Sequence, residues 1–219
     1  MTAADAAAHA ALDVHPVAIP LQPLFPHAGL PRGQWVGVSA PSLMLALLAR
    51  PSQDGAWCAV VGVDGLGLAA AQESGVALER LVVIPRPGPR WPDVLAALID
   101  AFDIVAIRTP SAVSVGIARR LQARVRQRRG VVVLLDAVER AVDGIAVDLR
   151  IVEEHWEGIG AGAGSLRARR VRVAAQTRGT PRHGRPVTLW LPDPAVAIAA
   201  DEHGRSATAS PASSTLRAV

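Results

Sequence analysis

Apolar residues along this chain fall in short unbroken runs separated by longer amphipathic stretches. Five runs are apolar almost throughout: Trp35–Ser39, Cys58–Val63, Leu81–Ile84, Ile104–Ile107 and Val131–Leu135. A strand that is apolar on both faces is covered on both, which is the condition of a parallel sheet held between helices. Segments with helical length and period lie between the runs, at Ser42–Ala49, Leu68–Ser74, Pro92–Ala101 and Ser114–Arg129. Pro92 suits a first helical turn, where a missing N–H leaves nothing unpaired. Gly75 and Gly130 stand where helix C-caps are expected. The resulting order, βαβαβαβαβ, predicts an α/β domain.

The pattern changes after Leu135. Asp148–Glu153, Leu166–Ala175 and Pro186–Leu191 read as strands with no helix between them, which predicts an antiparallel extension of the same sheet. The glycines at 158, 160, 162 and 164 read as a flexible hairpin loop joining the first two. Residues 1–28, with Pro16, Pro20, Pro23 and Pro26, read as an extended N-terminal arm. Residues 29–192 form the domain, and 193–219, rich in Ala, Ser, Thr and Pro, read as a flexible tail.

Composition narrows the classes. Half the residues are hydrophobic and 19% are charged, the profile of a chain with a packed core. All 23 basic residues are arginine, Tyr is absent, and the formal net charge is +4. That excess permits weak, non-specific contact with DNA but is small for the length. The single cysteine, Cys58, sits in an apolar run and reads as a small buried hydrophobe of a reducing compartment. No apolar run approaches the roughly 20 residues that cross a bilayer, and no charged leader opens the chain. A cytoplasmic, nucleoid-associated location without membrane contact is expected. The six histidines are scattered without a second ligand at metal spacing, so no metal site is expected.

The turn Gly29-Leu30-Pro31-Arg32-Gly33 leading into Gln34–Val38 resembles the approach to the phosphate loop of RecA recombinases. Gly75–Leu81 and Phe102–Ile107 resemble two further segments of that family, the second its metal-holding (Walker B) strand. The resemblance covers about residues 29–192. It implies a RecA-like, mostly parallel sheet flanked by helices, with antiparallel C-terminal strands. The departures bear directly on chemistry. A phosphate loop needs glycines to turn backbone N–H groups toward phosphate, a lysine for its charge and a hydroxyl for Mg²⁺. Here the segment reads Ser39-Ala40-Pro41-Ser42-Leu43, shorter, without glycine or lysine, and with a proline that removes a donor. Ser42 is left to cap the following helix. At the Walker B position stands Arg108, whose cation opposes a metal: at 4 Å and an effective dielectric near 20 each unit of charge product is worth about 4 kcal/mol. Asp64, in Asp64-Gly65, reads as a turn residue. Neither a nucleotide cofactor nor catalysis is expected.

A short RecA-like domain without Walker residues, together with Trp156-Glu157-Gly158-Ile159-Gly160, resembles the actinobacterial ImuA′ type of protein. The resemblance implies an accessory role in the DNA-damage mutasome: binding to an ImuB-like Y-family polymerase homologue and, through it, association with an error-prone C-family polymerase and the sliding clamp. RecA is a further candidate partner, and translesion synthesis and SOS-induced mutagenesis are the implied processes. The chain also resembles the SulA cell-division inhibitor, which implies FtsZ as an alternative partner. A non-specific DNA-binding module is the third reading.

Two arginine groups and one tryptophan are the candidate contact points. In Ser114–Arg129 the apolar residues Ile117, Ala118, Leu121 and Val125 face the sheet, leaving Arg119, Arg120, Arg124, Arg126, Arg128 and Arg129 for solvent or an acidic partner. Arg167, Arg169, Arg170 and Arg172 form a second group on a strand. Trp156, flanked by Glu153, Glu154 and Glu157, is the candidate interface anchor. Trp35, Trp57 and Trp190 are expected in the core.

Overall fold

The computed structural model describes residues 13–136, 142–160, 163–177, 186–191 and 199–200. The five apolar runs become strands β3 (Gln34–Val38), β4 (Cys58–Val61), β5 (Leu81–Ile84), β6 (Ile104–Ile107) and β7 (Val131–Leu135), preceded by short β1 (Val14–Pro16) and β2 (Gly29–Pro31). Helices α1 (Pro41–Gln53), α2 (Leu68–Glu73), α3 (Trp91–Ala101) and α4 (Val115–Arg128) alternate with them. The C-terminal part adds β8 (Ile145–Gly160), β9 (Ala163–Thr177), β10 (Val187–Trp190) and β11 (Ala199–Ala200).

Among the described residues nine strands form one sheet in the order β11-β10-β9-β8-β3-β7-β6-β4-β5. The six from β8 to β5 run parallel, and β9, β10 and β11 are added antiparallel. The expected antiparallel extension therefore begins one strand later than anticipated, because β8 pairs in parallel with β3. Alternation along the strands sorts the core into two layers. Val36, Val38, Val60 and Val133 pack with Leu43–Ala49 of α1 and Ala71 of α2 on one face. Trp35, Val61, Val105 and Val132 pack with Trp91, Leu95 and Leu98 of α3 and Leu121 and Val125 of α4 on the other.

Several local expectations are corrected. The second half of the N-terminal arm is not a free extended lead-in: Pro20 and Pro23 lie in a 3₁₀ segment, Ile19–Leu24, and Val17, Leu21, Leu24 and Phe25 are buried in the α1-side core. Helix α1 continues past Ala49 through a buried Pro51, since packing of its last turn outweighs the lost hydrogen bond. At the end of α4 it is Arg129, not Gly130, that takes the left-handed conformation. A Cβ on Gly130 would meet the Asp103 carbonyl oxygen at 3.4 Å, an ordinary contact, so neither handedness nor space demands glycine there. The glycine-rich segment is strand up to Gly160 and again from Ala163, with Ile159 opposite Gly164. Of the expected tail, Ala199–Ala200 pair with β10. Residues 1–12, 193–198 and 201–219 lie outside the described residues.

Trp35 is buried, but Trp57 is 43% exposed. It sits at the margin of the sheet before β4, edge-on to Phe102 and with the Arg80 guanidinium 4.9 Å from its ring. Cys58 is fully buried, and burial first, with Asp103 second, pushes its thiol up to about 12. No helix among the described residues is long and apolar enough to cross a membrane.

Candidate functional site

The C-terminal ends of the parallel strands meet at one end of the sheet, and β3 passes to α1 through only two residues, Ser39 and Ala40. Ala40 is extended (φ −148°, ψ 146°) and its carbonyl accepts from Met44 N–H at 3.1 Å. None of residues 39–42 has a positive φ. A phosphate nest needs successive N–H groups turned inward by alternating handedness, so this two-residue connection presents no such concavity. Pro41 occupies the first turn and Ala40 offers no capping side chain. Ser42 is not the helix cap: it lies inside the first turn, and its Oγ accepts from Arg169 Nη1 at 3.2 Å.

Arg108 stands directly after β6. Its Nε donates to Asp136 Oδ2 at 2.8 Å, in a half-buried pair. Asp136 follows β7 with φ 59°, and its N–H donates to the Val38 carbonyl at 2.9 Å. The cation foreseen at this position thus has a carboxylate partner that the sequence reading missed. The only signal for it was an acid closing the last apolar run. Gly62 fixes the same corner from β4, with φ +72° and a notional Cβ only 2.1 Å from the Arg108 carbonyl oxygen, an approach that no other residue permits. Among the described residues no group of three His, Cys, Asp or Glu is placed to hold a metal.

Beside the β3–α1 connection lies a hollow of about 330 Å³. Its apolar wall comes from Pro41 and Leu45 of α1, Val63 and Leu66 of the β4–α2 loop, Ala70 of α2 and Leu191 beyond β10. Ser42, Asp64, Glu73, Ser74 and Arg108 supply its polar rim. Asp64 is an exposed turn residue whose carboxylate lies 3.4 Å from Arg86 Nε.

On the other side of the α1 start, β8 and β9 run past the end of β3, which pairs with β8 only as far as Leu149. Ser39 Oγ accepts from Ile151 N–H at 3.1 Å, and beyond it the hairpin carries Val152 and Trp156, both exposed. Trp156 lies opposite Arg169, whose guanidinium carbon is 5.3 Å from the ring centre. Arg169 also donates to Glu154 through Nε at 3.1 Å and to Ser42, so one side chain ties hairpin to helix. Arg172 donates to Glu153 at 2.6 Å, Arg170 is opposite His155, and Arg167 is placed on β9.

The α4 arginines are largely neutralised within the chain. Arg124 and Arg128 both donate to Asp100 of α3, Arg129 pairs with Asp13, and Arg120 approaches Asp93 at 3.9 Å. Hydrogen bonding from Arg124, and then from Arg128, holds the Asp100 carboxyl down to about 2. Arg119 and Arg126 have no acidic partner among the described residues. Helix α4 covers the sheet face opposite α1, while Arg169 reaches Ser42 on the α1 side, so these two arginine groups do not merge into one basic surface.

A family model described as the MT3502 N-terminal domain matches residues 23–140. That span runs from the 3₁₀ segment to just beyond β7 and contains most of the hollow, while the β8–β9 hairpin lies outside it. The uncharacterized protein Rv3395c of Mycobacterium tuberculosis (strain ATCC 25618 / H37Rv) is 42% identical over 102 residues, which are 45% of this chain and 50% of that protein. The chain thus spans about half the length of the curated relative it matches.

Proposed function

This chain belongs to the MT3502 N-terminal domain family, and from that premise we propose that it is a RecA-like accessory protein that acts by binding partners, without catalysis, in an error-prone translesion synthesis complex. The partner in this reading is an ImuB-like Y-family polymerase homologue, with the C-family polymerase recruited through it. One observation carries the partner-binding part: the end of the sheet where a RecA-like enzyme would hold nucleotide has a two-residue connection without positive φ and an apolar hollow of about 330 Å³ in place of a phosphate cradle. A surface of that kind favours apolar side chains over a triphosphate. The choice of polymerase homologue rests on the likeness of Gly29–Gly33 and Trp156–Gly160 to the mutasome proteins. The DNA-module reading is weakened because Arg120, Arg124, Arg128 and Arg129 already face acids of the same chain.

Affinity capture from damage-treated cells, joined to ultraviolet-induced mutation frequency in a deletion strain, tests the assignment. Recovery of the polymerase homologue and a loss of induced mutation are expected. Recovery of FtsZ, or an unchanged mutation frequency, overturns it.

A further inference from the structure

The hollow at the end of the sheet has chemistry of its own beyond its lack of a phosphate cradle. At about 330 Å³ it is at the small end of ligand sites, which run to roughly 1,000 Å³. Its wall is predominantly apolar, from Pro41, Leu45, Val63, Leu66 and Ala70. Three charges stand on the rim. Arg108 is satisfied by Asp136, and Asp64 shares an exposed, long contact with Arg86. Glu73 has no cationic partner among the described residues. The uncompensated charge at the mouth is therefore negative, which disfavours phosphate and favours a cation beside an apolar group.

We propose that this hollow receives one large apolar side chain of a partner polypeptide, with an adjacent basic residue of that polypeptide set against Glu73. The inference rests on the partner-binding reading above and adds the chemistry of the partner. A polypeptide is favoured over a free small molecule because the hollow alone gives little contact area, while its wall continues into a second contact point. Ser42 lines the hollow and also accepts from Arg169, and Arg169 stacks on exposed Trp156. A chain laid across the start of α1 touches both, with the apolar side chain as anchor and Trp156 as a flanking contact.

The test uses the full chain, ¹⁵N-labelled, titrated with three dipeptide probes: N-acetyl-Leu-Arg-amide, N-acetyl-Leu-Glu-amide and N-acetyl-Ala-Arg-amide. Shifts confined to amides lining the hollow, those of Ser42, Leu45, Asp64–Gly67, Ala70–Ser74 and Arg108, are expected. Leu-Arg should bind about five-fold more tightly than Leu-Glu, the scale of one exposed ion pair, and about ten-fold or more above Ala-Arg, from the lost apolar carbons. Ala70→Trp, on the exposed side of α2, should fill the hollow and abolish the shifts with the fold intact by circular dichroism. Glu73→Arg should reverse the preference toward Leu-Glu and serves if the first variant does not fold. Equal affinity for all three probes, or shifts mapping elsewhere, overturns the proposal. The capture experiment separates it from the function it rests on. If wild type and Ala70→Trp retain the polymerase homologue equally, the hollow is not its anchor site and the partner-binding reading stands. If the probes behave as expected and wild type retains no polymerase homologue, the hollow stands and the mutasome assignment falls.

Discussion

His15 lies on β1, 4% exposed, and its Nε2 has no hydrogen-bond partner among the described residues. Burial first, and the nearby Arg32 second, lower its pKa to about 4 from 6.5, while Asp103 pulls the other way. A base whose folded pKa lies below its unfolded one is protonated earlier in the unfolded chain. Its contribution is therefore complete above pH 6.5 and is lost as pH falls from 6.5 toward 4. Urea unfolding should show roughly 1 kcal/mol less stability at pH 5.5 than at pH 7, and His15→Gln should remove most of that difference. An equal loss in both proteins would refute the assignment. Nothing in the sequence signals this group, since a histidine two residues before Val17 reads as part of a free arm until Leu21 and Leu24 are seen in the core.

At the level of elements, strands and helices were legible wherever one local rule decided them. β6 and β7 match their apolar runs residue for residue, because burial on both faces leaves no alternation to misread. The glycine-rich turn was misread because composition favours a loop, whereas pairing of β8 with β9 from Val147 to Gly160 keeps Gly158, Gly160 and Gly164 in strand. Helix α4 shows the same limit in its charges. Its arginine face was plain from spacing, but the acids that answer it come from α3 and the N-terminal segment and meet it only in the fold. With Arg119 and Arg126 as the α4 arginines without an acid among the described residues, the protein should bind duplex DNA with a shallow log–log salt slope of about −2. Asp100→Asn frees Arg124 and Arg128 and should steepen that slope. A salt titration of labelled duplex binding measures both; a steep slope in wild type, or none gained in the variant, would place the DNA contact elsewhere.

At the scale of the molecule, the α/β architecture with a mostly parallel sheet and antiparallel C-terminal strands follows the sequence reading closely, since order and spacing of the runs carry it. The absent phosphate loop and Arg108 were also legible, being local. The hollow was not, because Leu45, Leu66, Ala70 and Leu191 are ordinary apolar residues until the fold assembles them. With a two-residue β3–α1 connection free of positive φ and an uncompensated acid at the rim, a fluorescent ATP analogue with Mg²⁺ should show no saturable binding below about 1 mM. Micromolar affinity with turnover would refute that. The sheet order also bears on how the chain is made. β3 is among the first strands to be synthesised, yet its neighbours are β7 and β8, with Gln34 opposite Val131 and Trp35 opposite Ile145. Both edges of the central strand, and the apolar side of α1 that follows it, await chain that leaves the ribosome about a hundred residues later, a delay of about 5–20 s at about 5–20 residues per second. During that interval the nascent segment is a natural client for chaperones.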